Sequence, residues 1–385
     1  MDLSPAQVLA FRLTAQGFGA DDAEPLAALA SWSVQDSPAG TAALALAARG
    51  ARFEPGALDL ALHEQRTAVA LYNPRTATAI VPAAEVAAYT SALLPREQES
   101  LRFVLGRAIP PAGEGIGPAD AVEAALPAFA AALDGRQLSR DDLHAALRER
   151  LPSDLLPWCD GCQSHHARRG LLVVAGLHGL LCIAGRAGRQ PLFARTDQWI
   201  GPQAAPAVDP DVAAAELVRR HLSWCGPSTP RLFTQWAGIA PAQASAAWAL
   251  VADELVEVSV DGGRAWLLTD DARGASCAGA DGSAREALLL PPGDPLLLAR
   301  DRELLLPDPA ARRALFVAIN PPGLVLLGGK PAALWRGRKR GRRLAVELRA
   351  LGGASLTRRA IAAIEREAIG LAPHRGCASA TVAVG

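Results

Sequence analysis

Apolar positions between 211 and 269 follow two different periods in succession. Over 211–224, Leu217, Val218 and Leu222 recur at helical spacing, with Asp209 or Asp211 placed to cap the first turn. Cys225-Gly226-Pro227-Ser228-Thr229-Pro230 interrupts that helix. Thr229 can cap a short second helix over 231–236, and Pro230 suits a first helical position, where no N–H is needed. Ala240-Pro241 opens a third helix that runs to 252. Alternation then predicts strands over 255–260 and 264–268, joined by Asp261-Gly262-Gly263, a strong hairpin signal. Three helices followed by a hairpin is the order of a winged helix. The third helix offers only Gln243, Ser245 and Trp248 and carries no Arg or Lys, so the order alone does not establish base readout.

The same order recurs more faintly twice. In 118–195, helices fit 118–133, 140–150 (capped by Ser139) and 165–174, and strands over 180–184 and 191–194 flank a Gly/Arg turn. In 4–81, helices fit 5–16, 23–31 and 38–49, and strands over 68–72 and 77–81 flank Asn73-Pro74-Arg75-Thr76. The end differs: 324–327, 332–335 and 344–348 read as an antiparallel meander, followed by an amphipathic helix over 357–369. The expected fold is α+β, with three tandem winged-helix domains and a C-terminal antiparallel β-element and helix. The modules fall at 1–95, 96–205, 206–275 and 276–385, within the usual size of domains.

Composition narrows the class. The chain has 385 residues, half of them apolar, enough to bury a substantial core. Lys and Arg together number 39, balanced by 39 Asp and Glu, which excludes a polybasic chain that coats nucleic acid indiscriminately. The placement of charge is uneven: residues 1–130 hold 14 acidic and 8 basic side chains, whereas 331–385 hold 11 basic and 3 acidic. Six cysteines make no disulfide framework. The N-terminus lacks the basic start and apolar run of a signal peptide, and the best apolar stretch, 171–184, contains His178 and is too short for a membrane span. These features read as a soluble, cytoplasmic protein. No Walker-type loop, dinucleotide-binding Gly motif or nucleophile elbow occurs, which disfavours NTPases and α/β hydrolases.

Arg336, Arg338, Lys339, Arg340, Arg342 and Arg343 place six cations in eight residues between two strands, with Gly337 and Gly341 allowing close approach to a backbone. Such a hairpin tip neutralises phosphates and positions a duplex without reading its sequence. The bland alternative is a solvated charged loop. Arg300-Asp301-Arg302-Glu303 alternates charge and reads as an internal ion-pair cluster. Cys159-x-x-Cys162-x-x-His165-His166 has the composition of a zinc site, but closed structural sites usually draw on two separated pairs, and no second Cys or His pair stands at finger or ribbon spacing. With His165 and His166 opening a helix and facing different ways, the reading is a structural turn, with no metal and no cofactor.

Four ordered segments carry a resemblance. They are Trp158-Cys159-Asp160-Gly161-Cys162-Gln163-Ser164-His165-His166; Leu217-Val218-Arg219-Arg220-His221 with Cys225 to Pro230; Leu290-Pro291-Pro292-Gly293-Asp294-Pro295 with Ala299 to Glu303; and Trp335 to Arg343. Together they resemble the bacterial winged-helix DNA-binding proteins that include the AlkZ-like DNA glycosylases. The resemblance implies three winged helices around a concave DNA-binding surface, double-stranded DNA as partner, and excision of alkylated purines or unhooking of crosslinked purine adducts. It implies no nucleotide cofactor and no membrane, and the chain is read as a monomer. The family's catalytic loop, Gln-x-Gln or Gln-x-Asp ahead of a helix, matches Trp32-Ser33-Val34-Gln35-Asp36-Ser37-Pro38, with Ser33 where the first Gln usually stands.

In an extended segment, Ser33 and Gln35 face one way and Val34 faces the core. An alkylated purine already carries positive charge, so it needs no general acid to leave. The enzyme must hold a water beneath C1′ and stabilise an oxocarbenium-like sugar. Gln35 can orient that water, and a carboxylate such as Asp36 can also take its proton. Asp36 and Ser37 also directly precede Pro38, where a helix needs a cap. A non-catalytic regulator or lesion sensor is the competing reading.

Overall fold

The computed structural model describes residues 1–18, 29, 33–50, 53–188, 190–201, 207–277, 285–352 and 355–385. Contacts group the chain into two interleaved units, one of Met1–Leu58, Arg219–Leu232 and Ala252–Gly385, the other of Asp59–Val218 and Phe233–Val251. The structure is mixed α+β. No helix among the described residues is long and apolar enough to cross a membrane. Of the helix expected over 23–31 only residue 29 is among the described residues, and Trp32 lies outside them.

The first unit is built on a five-stranded sheet in the order Ala287–Leu290, Gly323–Leu327, Lys330–Arg340, Arg343–Ala350, Ser379–Val384. The first four strands pair antiparallel as the expected meander extended by one strand. The last pairs parallel to Arg343–Ala350, because helix Arg358–Leu371 makes the crossover. Strand alternation splits the apolar residues between two faces. Leu289, Val325, Trp335 and Val346 pack with Ile364 and Leu371 of that helix. Leu288, Leu324 and Leu334 pack instead with Leu13 of helix Pro5–Ala15 and with Leu305 and Leu315. Burial on both faces explains why Ala287–Leu290 is an unbroken apolar run. A smaller sheet in the same unit joins hairpin Leu255–Val260 and Gly263–Leu268 to Asp2–Leu3, which lies parallel to its first strand.

Charged side chains pin the loops of this unit from inside. Arg49 grips Asp294 with two parallel hydrogen bonds, Nη1 to Oδ2 at 2.8 Å and Nη2 to Oδ1 at 2.9 Å. The same guanidinium donates to the Ala45 carbonyl and to Gln16 Oε1 and lies over the Phe18 ring. Both partners are almost wholly inaccessible, at 2% and 0%. Arg12, also buried, donates to the Gly226 and Pro227 carbonyls and pairs with Asp301 at 2.6 Å. The alternating run 300–303 forms ion pairs as expected, but only Asp301 does so in the interior: Glu303 meets Arg312 at the surface, and the exposed Arg302 lies over Phe316.

The second unit holds helices Val86–Leu93, Gln98–Leu105, Pro118–Leu133, Arg140–Arg148 and Arg169–Leu177. Ser139 caps Arg140–Arg148 through the Asp142 N–H, as its sequence position indicates. The apolar stretch from 171 begins as a fully buried core helix. Gly170 brings that helix against Leu105, since a Cβ there would stand 2.3 Å from the Leu105 carbonyl oxygen. Hairpins Ala68–Tyr72/Thr78–Pro82 and Cys182–Ala187/Gln190–Ala194 form as expected, but they share one sheet through Ala70 opposite Ile183 rather than standing as separate wings. The third helix of the 118–195 stretch starts at Arg169, not at His165, which lies in a two-residue strand, Ser164–His165.

Removing one partner of a buried, bidentate ion pair leaves an uncompensated charge. Asp294→Ala should therefore cost about 3–5 kcal/mol, whereas the double change Arg49→Met/Asp294→Leu should cost clearly less. Urea unfolding of the three proteins checks this. A single-variant loss below about 1 kcal/mol would mean that the pair carries little of the fold.

Candidate functional site

Residues 33–41 turn sharply before helix Thr41–Ala47. Val34 is fully buried, as alternation requires, and anchors the segment; Ser33, Gln35 and Asp36 are half-buried around it. The helix begins three residues later than Pro38 suggests. Pro38, Ala39 and Gly40 form a turn, and Gly40 enters the helix with φ of 85°, a conformation that favours glycine. Asp36 still serves the helix start: its Oδ1 accepts the Gly40 N–H at 2.7 Å and the Ala42 N–H at 3.1 Å. The Thr41 hydroxyl closes the turn onto the Pro38 carbonyl at 2.7 Å.

Gln35 is held from two sides. Its Nε2 donates to the Ser37 carbonyl at 3.1 Å. Gly293 packs against it so closely that a Cβ would stand 2.8 Å from Nε2, and the φ of 77° at Gly293 also disfavours any other residue. Gly293 immediately precedes Asp294, so the Arg49–Asp294 pair fixes the turn that presses on Gln35. Asp294 in turn caps its own short helix through the Leu296 N–H. The segment around Gly293 was a family marker in the sequence, but its role as the wall of the Gln35 loop was not readable there.

The six cations fall on a β-hairpin, as expected. The pairing Arg340 opposite Arg343 and Arg338 opposite Ala345 places Arg336, Arg338, Arg340 and Arg343 on one face. Lys339 lies opposite Leu344 on the other face. Gly341 and Arg342 make the turn, Gly341 with φ of 60°. Gly337 serves a purpose different from the one expected. It lies in the stem, where a Cβ would meet the Trp335 ring at 3.0 Å and Leu344 at 3.2 Å, so it makes room for core packing. All the tip cations from Arg338 to Arg343 are exposed.

Two cavities adjoin these residues. One, of about 180 Å³, is walled by Pro38, Ala39 and Thr41 from the turn after Asp36, by Pro292, and by Arg336 and Arg338 of the hairpin stem. Arg375, unremarked in the sequence, also lines it. The second, of about 370 Å³, lies between Arg340, Arg342 and Arg343 of the tip and Ser379 and Thr381 of the terminal strand. Guanidinium and hydroxyl donors together suit a phosphate oxyanion. The strand 379–384 carries no charge pattern that would have flagged it. Elsewhere, the remaining marker, 158–166, brings Cys159, Cys162 and His166 together with their ligating atoms within 4.8 Å of one another, whereas His165 turns away.

The model of the DNA glycosylase AlkZ-like family matches residues 27–374. Among solved structures, the DNA glycosylase AlkZ of Streptomyces sahachiroi superposes with a TM-score of 0.78 over 100% of each chain at 22% identity, a likeness of fold. No curated protein matches the chain. The family match spans nearly all of the sequence, including the turn at Gln35 and the basic hairpin, and the protein belongs to the AlkZ-like DNA glycosylase family.

Proposed function

We propose that the protein binds double-stranded DNA and hydrolyses the N-glycosidic bond of alkylated purines, including purine adducts in crosslinks. The observation that carries this reading is the smaller cavity, whose walls combine the turn that follows Gln35 and Asp36 with Arg336 and Arg338 of the basic hairpin. Phosphate-binding cations and the candidate water-positioning loop thereby meet at one place. The order of helices and hairpins supports a reading as three tandem winged helices, in modules 1–95, 96–205 and 206–275, followed by 276–385. The protein acts as a monomer in the cytoplasm, at the nucleoid.

The chemistry divides between neighbours. Asp36 commits Oδ1 to two backbone N–H groups, a capping task. Gln35, whose amide nitrogen donates to the Ser37 carbonyl, is our candidate for orienting a water toward C1′. A cationic purine leaves without protonation, so orientation of water and electrostatic stabilisation of the sugar suffice. Arginines on the hairpin hold the backbone phosphates and set position without base readout. Ser33 favours the competing lesion-sensor reading, because its side chain is too short to replace a Gln amide by direct contact.

The two loop residues separate under mutation. Gln35→Ala should leave melting temperature and DNA binding nearly unchanged while lowering single-turnover excision, as removal of a transition-state interaction does. Asp36→Ala should cost about 0.5–2 kcal/mol of stability. Excision abolished by Asp36→Ala without a fall in melting temperature would make Asp36 the base; excision unaltered in both variants would remove the loop from the active site.

The hairpin has its own test. Replacing Arg338, Lys339, Arg340 and Arg342 by Ala should weaken duplex binding and flatten its salt dependence, by about 0.9 in the log–log slope for each phosphate no longer neutralised. Fluorescence anisotropy over a salt series measures this, and an unchanged slope would place the hairpin outside the interface.

A further inference from the structure

The geometry points to a metal site for a thiophilic divalent cation of the zinc class, formed by Cys159, Cys162 and His166 in the second unit. Spacing in the sequence argues against such a site by seeking a second separated Cys or His pair and by starting a helix at His165. The folded chain removes the second objection. Trp158–Cys159 and Ser164–His165 form a small antiparallel hairpin, and the following helix begins only at Arg169. His166 lies between the two elements and is free to turn back toward the cysteines.

Three local features favour ligation. The hairpin turn is shaped for a Cys-x-x-Cys chelate: the Cys162 N–H donates to the Cys159 carbonyl at 3.2 Å, and Gln163 takes a positive φ of 49°. The Cys159 and Cys162 sulfurs and a ring nitrogen of His166 all lie within 4.8 Å of one another. His166 Nδ1 faces the Ala167 carbonyl at 2.8 Å and must be the donor there, which leaves Nε2 with its lone pair. That Nε2 is buried with no hydrogen-bond partner among the described residues. Metal-binding histidines are commonly oriented in this way, by a carbonyl on the opposite ring nitrogen. His165 is otherwise engaged, with Nδ1 on the Leu156 carbonyl and its ring against Trp158.

Two thiolates and an imidazole satisfy three positions of a tetrahedral zinc site. His144, on helix Arg140–Arg148, stands with its ring centroid 4.4 Å from that of His166, and its Nδ1 is likewise buried without a partner among the described residues. Its ring nitrogens lie outside the converging group of ligand atoms, so the fourth position falls to solvent. Ligation would release the thiol protons and cross-link the hairpin to the chain entering helix Arg169–Leu177, a structural role independent of glycosidic cleavage.

The test uses the full chain, purified under reducing conditions and passed over a chelating resin, then loaded with zinc ion or with cobalt(II) ion. About one zinc per chain should remain after gel filtration. Cobalt should give a thiolate charge-transfer band and the intense visible bands of tetrahedral coordination. Cys159→Ser/Cys162→Ser should abolish both signals while its circular dichroism shows a folded chain, and His166→Ala should shift the cobalt spectrum and weaken zinc retention. The site is refuted if the wild-type chain holds no stoichiometric metal, if the double serine variant retains it, or if the cysteines are found joined as a disulfide under these conditions.

Discussion

The buried pair of Arg49 and Asp294 is the interaction on which the candidate site depends. One guanidinium closes the end of helix Thr41–Ala47 through the Ala45 carbonyl, holds Gln16 at the end of helix Pro5–Ala15, and grips the carboxylate that ends the turn after Ala287–Leu290. The turn so held contains Gly293, whose lack of a side chain lets Gln35 lie against it. A charge pair inside a core is a poor source of net stability, because desolvation offsets most of the attraction. Its value here is geometric: a rigid fork that donates four hydrogen bonds ties three segments around one loop, with Asp294 lying 245 residues from Arg49.

Arg12 performs a parallel task for the 225–230 segment, through the Gly226 and Pro227 carbonyls and Asp301. Two of the four family markers are thus scaffolding. In them Asp294 is buried on Arg49 and Asp301 pairs with the buried Arg12, while Glu303 is exposed. A cluster of outward-facing cations sits on the hairpin Lys330–Arg340/Arg343–Ala350, whose buried side is apolar and whose tip is solvated. The separation lets one sheet serve as core while carrying an exposed cationic tip, with overall neutrality coming from acidic side chains elsewhere in the chain.

What local sequence encodes was readable. Ser139 and Thr229 each cap the helix that follows them, because capping needs only a hydroxyl within three residues. The hairpin at Asp261-Gly262-Gly263 and the basic hairpin are likewise short-range. The reach of Asp36 to Ala42 follows from its place ahead of a helix that needs a cap, although Gly40 delays that helix. Contacts between distant segments were not readable. Nothing in Ala70 or Ile183 announces that two hairpins share a sheet, and nothing in 379–384 announces a parallel strand. The Cys-x-x-Cys pair was legible as composition, but the approach of His166 depends on where a helix begins, the least certain feature of any periodic pattern.

A scaffold that cleaves a glycosidic bond differs in its product from one that merely recognises damaged DNA. The most direct measurement incubates the wild-type protein with duplex DNA containing 7-methylguanine and counts abasic sites. With cleavage, abasic sites should accumulate with time well above the buffer control, with release of the free alkylated base. Tight binding to the same duplex with no abasic sites above that control would contradict it and leave a lesion sensor in its place.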